Sequence, residues 1–213
     1  MSSIDMSRIR NEYARSGLAE SDAGDDPIAL FDVWMAEAVA AGLHEPTAMA
    51  LATASPDGKP SVRIVLLKGI DGDGVRFYTN YESRKGEELE SNPYAALTML
   101  WHQIERQVRI EGTVARTSPG DSDAYFASRP HGSQLGAVAS PQSRAIADRG
   151  VLDEHYADAA AAYPDGVSRP AYWGGYLVRP ESVEFWQGRE SRMHDRIKFT
   201  RAPSGWHRER LAP

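Results

Sequence analysis

The stretch EFWQGRESRMHDR, Glu184 to Arg196, packs a tryptophan, a glutamine, a histidine and three arginines into thirteen positions of a chain whose formal net charge is −6. Cations gathered in an acidic protein form either a solvated tail or an anion site. Alternation along a strand puts Phe185 and Gln187 on one face and Glu184 and Trp186 on the other. A turn at GRES then predicts that Arg192, His194 and Arg196 return on one face of the next strand beside Trp186, with Arg189 left to solvent. In YTNYESRKGEEL a strand ends at Thr79, and Ser83, Arg84 and Lys85 open a helix. Unpaired N–H groups and the helix dipole favour an anion there; the alternative is a solvated first turn. In RIVLLK, Arg63, Val65 and Leu67 share one face and Ile64, Leu66 and Lys68 the other, so each face carries one cation, unless both cations merely cap the strand ends in water. ERQVRIEG sets Gln107 and Arg109 opposite Arg106 and Val108. An amide that donates and accepts suits the edge of a heterocyclic ring, although a glutamine on an exposed sheet face is commoner. Finally, AYFASRPHGSQLGAVASPQSR spaces Tyr125, Arg129 and Ser133 four apart, as on one helix face, until Pro130 and Gly132 bend the chain. Tyrosine, arginine and serine together make a phosphate clamp, and Gln142 and Ser143 follow in a long irregular stretch.

The elements that must position these groups are short. At 213 residues, 41% hydrophobic and 25% charged, the chain suits an ordinary soluble globular protein with one sizeable core. No cysteine is present, which excludes disulfides, thiolate nucleophiles and cysteine-ligated metals and fits a reducing cytoplasm. No apolar run reaches the ~20 residues of a membrane span, the N-terminus lacks the apolar core of a secretory signal, and the negative charge argues against nucleic acid. Residues 1–26 are polar and are expected to form a flexible arm; residues 27–213 are expected to be one domain. DDPIALFDVWMAEAVAAGL is a helix capped by Asp26, with Pro27 in its first turn, Ile28, Phe31, Trp34, Met35, Ala38 and Val39 on one face, and a stop at Gly42. The period then changes to β. TAMALATAS, SVRIVLLKGI, GVRFYTN, AALTMLW and RQVRIEGTVARTS read as strands, with DGDG a hairpin turn rather than a calcium loop. WGGYLVRPESVEFWQG and RIKFTRAPSGWHRERL add two more strands. The spacing predicts a closed or nearly closed antiparallel barrel, interrupted by helices at ESRKGEELES, PGDSDAYFAS and VLDEHYADAAAAY. No histidine pair has metal-ligand spacing, and no G-x-S-x-G elbow, P-loop or G-x-G-x-x-G occurs.

In their order and spacing, RIVLLK, FYTNYESRKGEEL, WHQIERQVRIEG, YFASRPHGSQLGAVASPQS, WGGYLVRPESVEFWQGRESRMHDR and the terminal ERLAP closely resemble the pyridoxamine/pyridoxine 5′-phosphate oxidase family, from about Arg10 to Pro213. The resemblance implies an α+β, mainly β fold, an FMN-binding split β-barrel with peripheral helices, in a homodimer whose active sites are built from both subunits. It implies oxidation of pyridoxine 5′-phosphate or pyridoxamine 5′-phosphate to pyridoxal 5′-phosphate, with O2 reoxidising the flavin to give H2O2. It carries the FMN-binding role to Arg63, Ile64, Val65, Leu66, Leu67 and Lys68, to Tyr78, Thr79, Arg84, Lys85 and Gln107, and to Gln142, Ser143, Trp186 and Arg196. The substrate side takes Lys68, Tyr125, Arg129, Ser133, Arg192 and His194, the last two as the catalytic pair, and Arg10 and Tyr13 of RNEY as a lid. Both ligands carry a phosphate, which calls for two cationic clusters, and cations near the flavin ring stabilise the charge that develops on it. Hydride transfer from substrate C4′ to flavin N5 follows, with Arg192 and His194 orienting the substrate and guiding the leaving proton.

Two positions depart from the family pattern: Val138, where some relatives carry tryptophan, and Arg189, where glycine is common. They bear on substrate preference and rate, not on the reaction class. Three rivals stay open on the sequence. Another flavin reductase on the same barrel would not need Tyr125, Arg129 and Ser133. An FMN or pyridoxal phosphate carrier would bind without turnover. A barrel for single-stranded nucleic acid would want a basic aromatic groove.

Overall fold

The computed structural model describes residues 17–213; Arg10 and Tyr13 lie outside the described residues. Nine strands form one sheet, ordered β2-β1-β5-β6-β7-β4-β3, with β8 on β7 and β9 on β8. They are β1 (Ala48–Ala54), β2 (Pro60–Leu66), β3 (Gly69–Asp71), β4 (Gly74–Asn80), β5 (Tyr94–Trp101), β6 (Arg106–Arg116), β7 (Trp173–Gln187), β8 (Asp195–Arg201) and β9 (Trp206–Arg210). The helices are α1 (Glu20–Ala23), α2 (Pro27–Ala40), α3 (Arg84–Ser91), α4 (Pro119–Ser128), α5 (His131–Ala139) and α6 (Arg149–Ala162). The fold is α+β and mainly β. The hydrogen-bonded path has two ends, β2 and β3, so the sheet does not close on itself. No helix among the described residues is long and apolar enough to cross a membrane. Contacts group the chain into two compact units, one holding residues 17–46, 98–110 and 181–213 and the other 47–97 and 111–180.

The first unit is built on α2. Asp26 accepts the Ile28 N–H at 2.9 Å, Pro27 fills the first helical position, and the helix ends before Gly42 at φ +69°. Leu30, Phe31, Trp34 and Ala38 are buried, whereas Val39, expected on that face, is exposed. Trp34 meets Phe185 edge-on at 5.1 Å, and Phe185 meets Phe199 at 5.9 Å. Aromatic pairs of this geometry add about 0.5–1.5 kcal/mol beyond their area burial. The segment RIKFTRAPSGWHRERL is not one strand but a hairpin of β8 and β9, with Gly205 at φ +78° between them. A single strand would leave no partner for the second half; the positive-φ glycine permits the reversal. Residues 17–26, assigned by sequence to the arm, hold α1 against this hairpin. Leu18 is buried, its N–H reaches Asp195 Oδ2 at 2.9 Å, and Arg210 forks onto Glu20 at 2.6 and 2.9 Å.

In the second unit, β1 pairs with β2, β3 with β4 across the DGDG turn, and β4 with the first half of β7. Its core gathers Met49, Leu51, Val75, Phe77, Leu89 and Leu97. The bend at Pro130 starts a second helix, α5, rather than an irregular stretch. Arg129 is extended (φ −74°, ψ 146°), and the Gln134 amide donates back to the Phe126 and Arg129 carbonyls at 3.2 and 3.1 Å. Val138 packs against the small core of Leu135, Ala139 and Ala159, where α5 meets α6.

Candidate functional site

The first group of site residues forms where β2, β4 and α3 meet in the second unit. Alternation along β2 turns Ser61, Arg63 and Val65 inward and leaves Val62 and Ile64 exposed; Leu66 is half-buried, and just past the strand Leu67 is buried and Lys68 exposed. Arg63 is therefore no strand-end cation in water. Its Nη1 donates to the Leu51 carbonyl at 3.1 Å and to Thr53 Oγ1 at 2.5 Å, and its Nη2 donates to Glu88 at 3.2 Å. Ser83 caps α3, its hydroxyl accepting from the Gly86 N–H at 3.4 Å. Lys85 in the first turn is only 8% exposed. Its ammonium donates to Thr79 Oγ1 (3.0 Å), Ser83 Oγ (3.1 Å) and Gln142 Oε1 (2.7 Å), and Thr79 also donates to Gln142 at 3.0 Å. No carboxylate among the described residues pairs with Lys85. Burial, reinforced by the charge of Arg63, brings its pKa down to about 8. A buried ammonium satisfied only by neutral oxygens favours an incoming anion, which would restore the lost solvation. Ser143, next to Gln142, is exposed and holds φ +69°.

The second group, in the same unit, is aromatic. Tyr78 stacks on Tyr125 at 3.8 Å, and Trp173 lies parallel to Tyr125 at 6.2 Å. The guanidinium of Arg129 sits 4.6 Å from the Trp173 ring centroid, and its Nη1 is buried without a hydrogen-bond partner. Burial pulls its pKa down, and Tyr125 opposes that shift. A buried guanidinium N–H left unpaired is costly, and an anionic ligand would satisfy it. Ser133 does not continue the α4 face; it stands exposed in the first turn of α5, whose N-cap, Pro130, offers no side-chain acceptor.

In the first unit, Gln107 and Trp186 line a cavity of about 230 Å³ with Leu100, His102 and Glu105. Trp186 lies 4.6 Å from the His194 ring and pairs with Arg196 across β7 and β8. The expected single face of Arg192, His194 and Arg196 does not form. β8 begins only at Asp195, and the preceding residues make a tight turn with Ser191 at φ +55° and Arg192 at φ +61°, which leaves Arg192 exposed. The Arg189 N–H donates to His194 Nδ1 at 3.1 Å, so a neutral ring carries its proton on Nε2. Arg196 is engaged by Glu184, with Nε to Oε1 at 2.9 Å and Nη2 to Oε2 at 3.1 Å, and this pairing raises its pKa. Arg189, assigned to solvent by sequence, pairs with Asp195 at 3.1 Å. Glu88, Trp173 and Glu184 were not singled out in the sequence. Glu88 had a legible signal, its position four residues after Arg84; Trp173 and Glu184 depend on strand register, which spacing does not reveal.

A family model described as pyridoxamine 5′-phosphate oxidase matches residues 35–160, and one described as the pyridoxine 5′-phosphate oxidase C-terminal dimerisation region matches residues 173–213. The chain is 55% identical to a pyridoxine/pyridoxamine 5′-phosphate oxidase of Rubrobacter xylanophilus over 98% of its length and 97% of that protein's. It is 49% identical to one from Synechocystis over the whole of both chains. Among solved structures it superposes on PhzG of Burkholderia lata, bound to tetrahydrophenazine-1-carboxylic acid, with TM-score 0.89 and 32% identity over 95% of this chain and 100% of that one. A pyridoxamine 5′-phosphate oxidase-related, FMN-binding protein of Nostoc punctiforme shares the fold at TM-score 0.70 and 19% identity, over 93% of this chain and 100% of that one. Matches that run through every motif-bearing strand and helix decide the assignment: the chain belongs to the pyridoxamine 5′-phosphate oxidase family.

Proposed function

We propose that this protein oxidises pyridoxine 5′-phosphate and pyridoxamine 5′-phosphate to pyridoxal 5′-phosphate with FMN as cofactor. The observation that carries the reading is a pair of separate cationic sites in one unit, one at buried Lys85 and one at the unpaired Nη1 of Arg129. A flavin and a substrate that each bear a phosphate need two such sites; a flavin enzyme acting on an unphosphorylated ring would leave the second without a purpose. The residues fit FMN. Lys85, Arg63 and Arg84 would hold its phosphate with Thr79, Gln142 and Ser143. Bound FMN supplies the two-electron acceptor for a hydride from substrate C4′.

The remaining roles belong to the chain. Arg129, Tyr125 and Ser133 would take the substrate phosphate, with Lys68 as a further cation. His194, whose Nδ1 accepts the Arg189 N–H, would orient the substrate oxygen or nitrogen. Reoxidation by O2, action in the cytoplasm and a homodimer belong to the same proposal. Support for the dimer comes from the dimerisation-region match at residues 173–213 and from the outer face of β2, where Val62 and Ile64 stand exposed opposite Ala52 and Ala50 of β1. The test is direct. The purified protein should be yellow, and pyridoxine 5′-phosphate under air should yield pyridoxal phosphate absorbance and peroxide. Tight flavin binding without turnover would establish a carrier instead.

A further inference from the structure

Among the described residues Glu88 is the one carboxylate inside the cation cluster of β2 and α3, and it is 6% exposed. Its Oε2 accepts from Thr53 Oγ1 at 2.5 Å, Ser61 Oγ at 2.5 Å and Arg63 Nη2 at 3.2 Å, while Oε1 accepts from Arg84 Nε at 2.8 Å. Burial would raise its pKa, but these hydrogen bonds outweigh burial and hold it at about 2, so it is ionised throughout the working range. One carboxylate thus ties together a strand arginine and a helix arginine that have no contact of their own. It also leaves three cations, Arg63, Arg84 and Lys85, against one negative charge, a surplus that matches a phosphate monoester dianion.

We propose that Glu88 is a positioning residue for phosphate recognition. By accepting Arg84 through Nε alone, it leaves the two Nη groups of that side chain for the ligand, and among the described residues they have no other partner. By accepting from Arg63 Nη2, it joins Ser61, Thr53 and the Leu51 carbonyl in holding that guanidinium in place. The proposal rests on the reading that this cluster receives the FMN phosphate. It opposes simple electrostatics, by which a carboxylate near a dianion only repels it. The physical gain is preorganisation: two arginines are fixed before the ligand arrives, so less side-chain freedom is lost on binding.

The two views predict opposite outcomes for Glu88→Gln. If positioning dominates, the FMN dissociation constant, measured by quenching of flavin fluorescence, rises about tenfold or more, as expected for losing a charge-assisted hydrogen bond. Riboflavin, which lacks the phosphate, binds the variant and the wild type alike. If the carboxylate only repels, FMN binds Glu88→Gln as tightly as wild type or more tightly, and the proposal is overturned. Equal losses for FMN and riboflavin would mark a merely structural role and overturn it too. Should Glu88→Gln not fold, Glu88→Asp keeps the charge but loses the reach to span both arginines. A selective loss of FMN over riboflavin is expected there, and unchanged FMN affinity counts against the proposal. Wild-type protein that fails to bind FMN would instead sink the reading of the site, a distinguishable result.

Discussion

At the scale of single residues, the chemistry turns on how a charge is paired. Lys85 is buried among three neutral oxygens, and its pKa of about 8 lies below the ordinary lysine value. The charged form is disfavoured in the folded protein without ligand, so its contribution to stability rises with pH between about 8 and the unfolded lysine value. A dianion reverses the preference, because it binds the protonated form. FMN affinity is therefore expected to fall as pH rises above about 8. Lys85→Met should bind FMN roughly tenfold or more weakly and lose that pH dependence; titration of flavin fluorescence at pH 7 and pH 9 measures both. Arg129 is specialised differently, since it stacks on Trp173 and keeps one N–H unpaired. Lysine reproduces neither the planar stacking nor the fork. Arg129→Lys is expected to raise KM for pyridoxine 5′-phosphate by about tenfold or more with unchanged FMN content, and steady-state kinetics on flavin-saturated enzyme checks it. A variant with weakened FMN and normal KM would exchange the roles of the two cationic sites.

Elements place these groups through register and close approach. Pairing of Val75↔Val178 through Asn80↔Trp173 carries Tyr78 and Trp173 to the same stretch of β4 and β7, where the aromatic stack forms. In the same unit β6 runs against β7 at Gly112, where a Cβ would lie 1.9 Å from the Arg179 carbonyl oxygen. That contact is to backbone, which cannot swing aside. Gly112→Ala is expected to cost about 1–3 kcal/mol and to lower the melting temperature by several degrees, with a thermal melt as the check. In the turn before β8, consecutive positive φ values at Ser191 and Arg192 make a sharper reversal than the sequence suggests, which is why Arg192 leaves the strand face. Non-glycine residues rarely adopt this conformation without a functional or structural reason.

For the whole molecule, the apolar outer face of β2 raises the question of assembly. Val62 is 68% and Ile64 66% exposed, and the alanines opposite them on β1 leave that surface smooth. A second copy is the proposed cover. Sedimentation velocity should give a dimer, and the double variant Val62→Asp, Ile64→Asp should shift it toward monomer with loss of bound flavin. A monomeric wild type that keeps its flavin would remove the shared-site reading while leaving the cationic sites intact.

Local patterns already specify much of this protein. Asp26 and Pro27 start α2, DGDG turns β3 into β4, and alternation turns Arg63 inward, because capping, turn chemistry and strand period act over a few residues. The motif order was enough to point to the family. Other features depend on contacts between residues far apart in the chain. Lys85 meeting Gln142, Glu88 bridging two arginines, Arg129 on Trp173 and Arg196 held by Glu184 all join separate segments. Spacing along the chain says which residues can share a face. Whether a cation there is free for a ligand or spent on a carboxylate is decided only when tertiary packing brings its partner within hydrogen-bond distance.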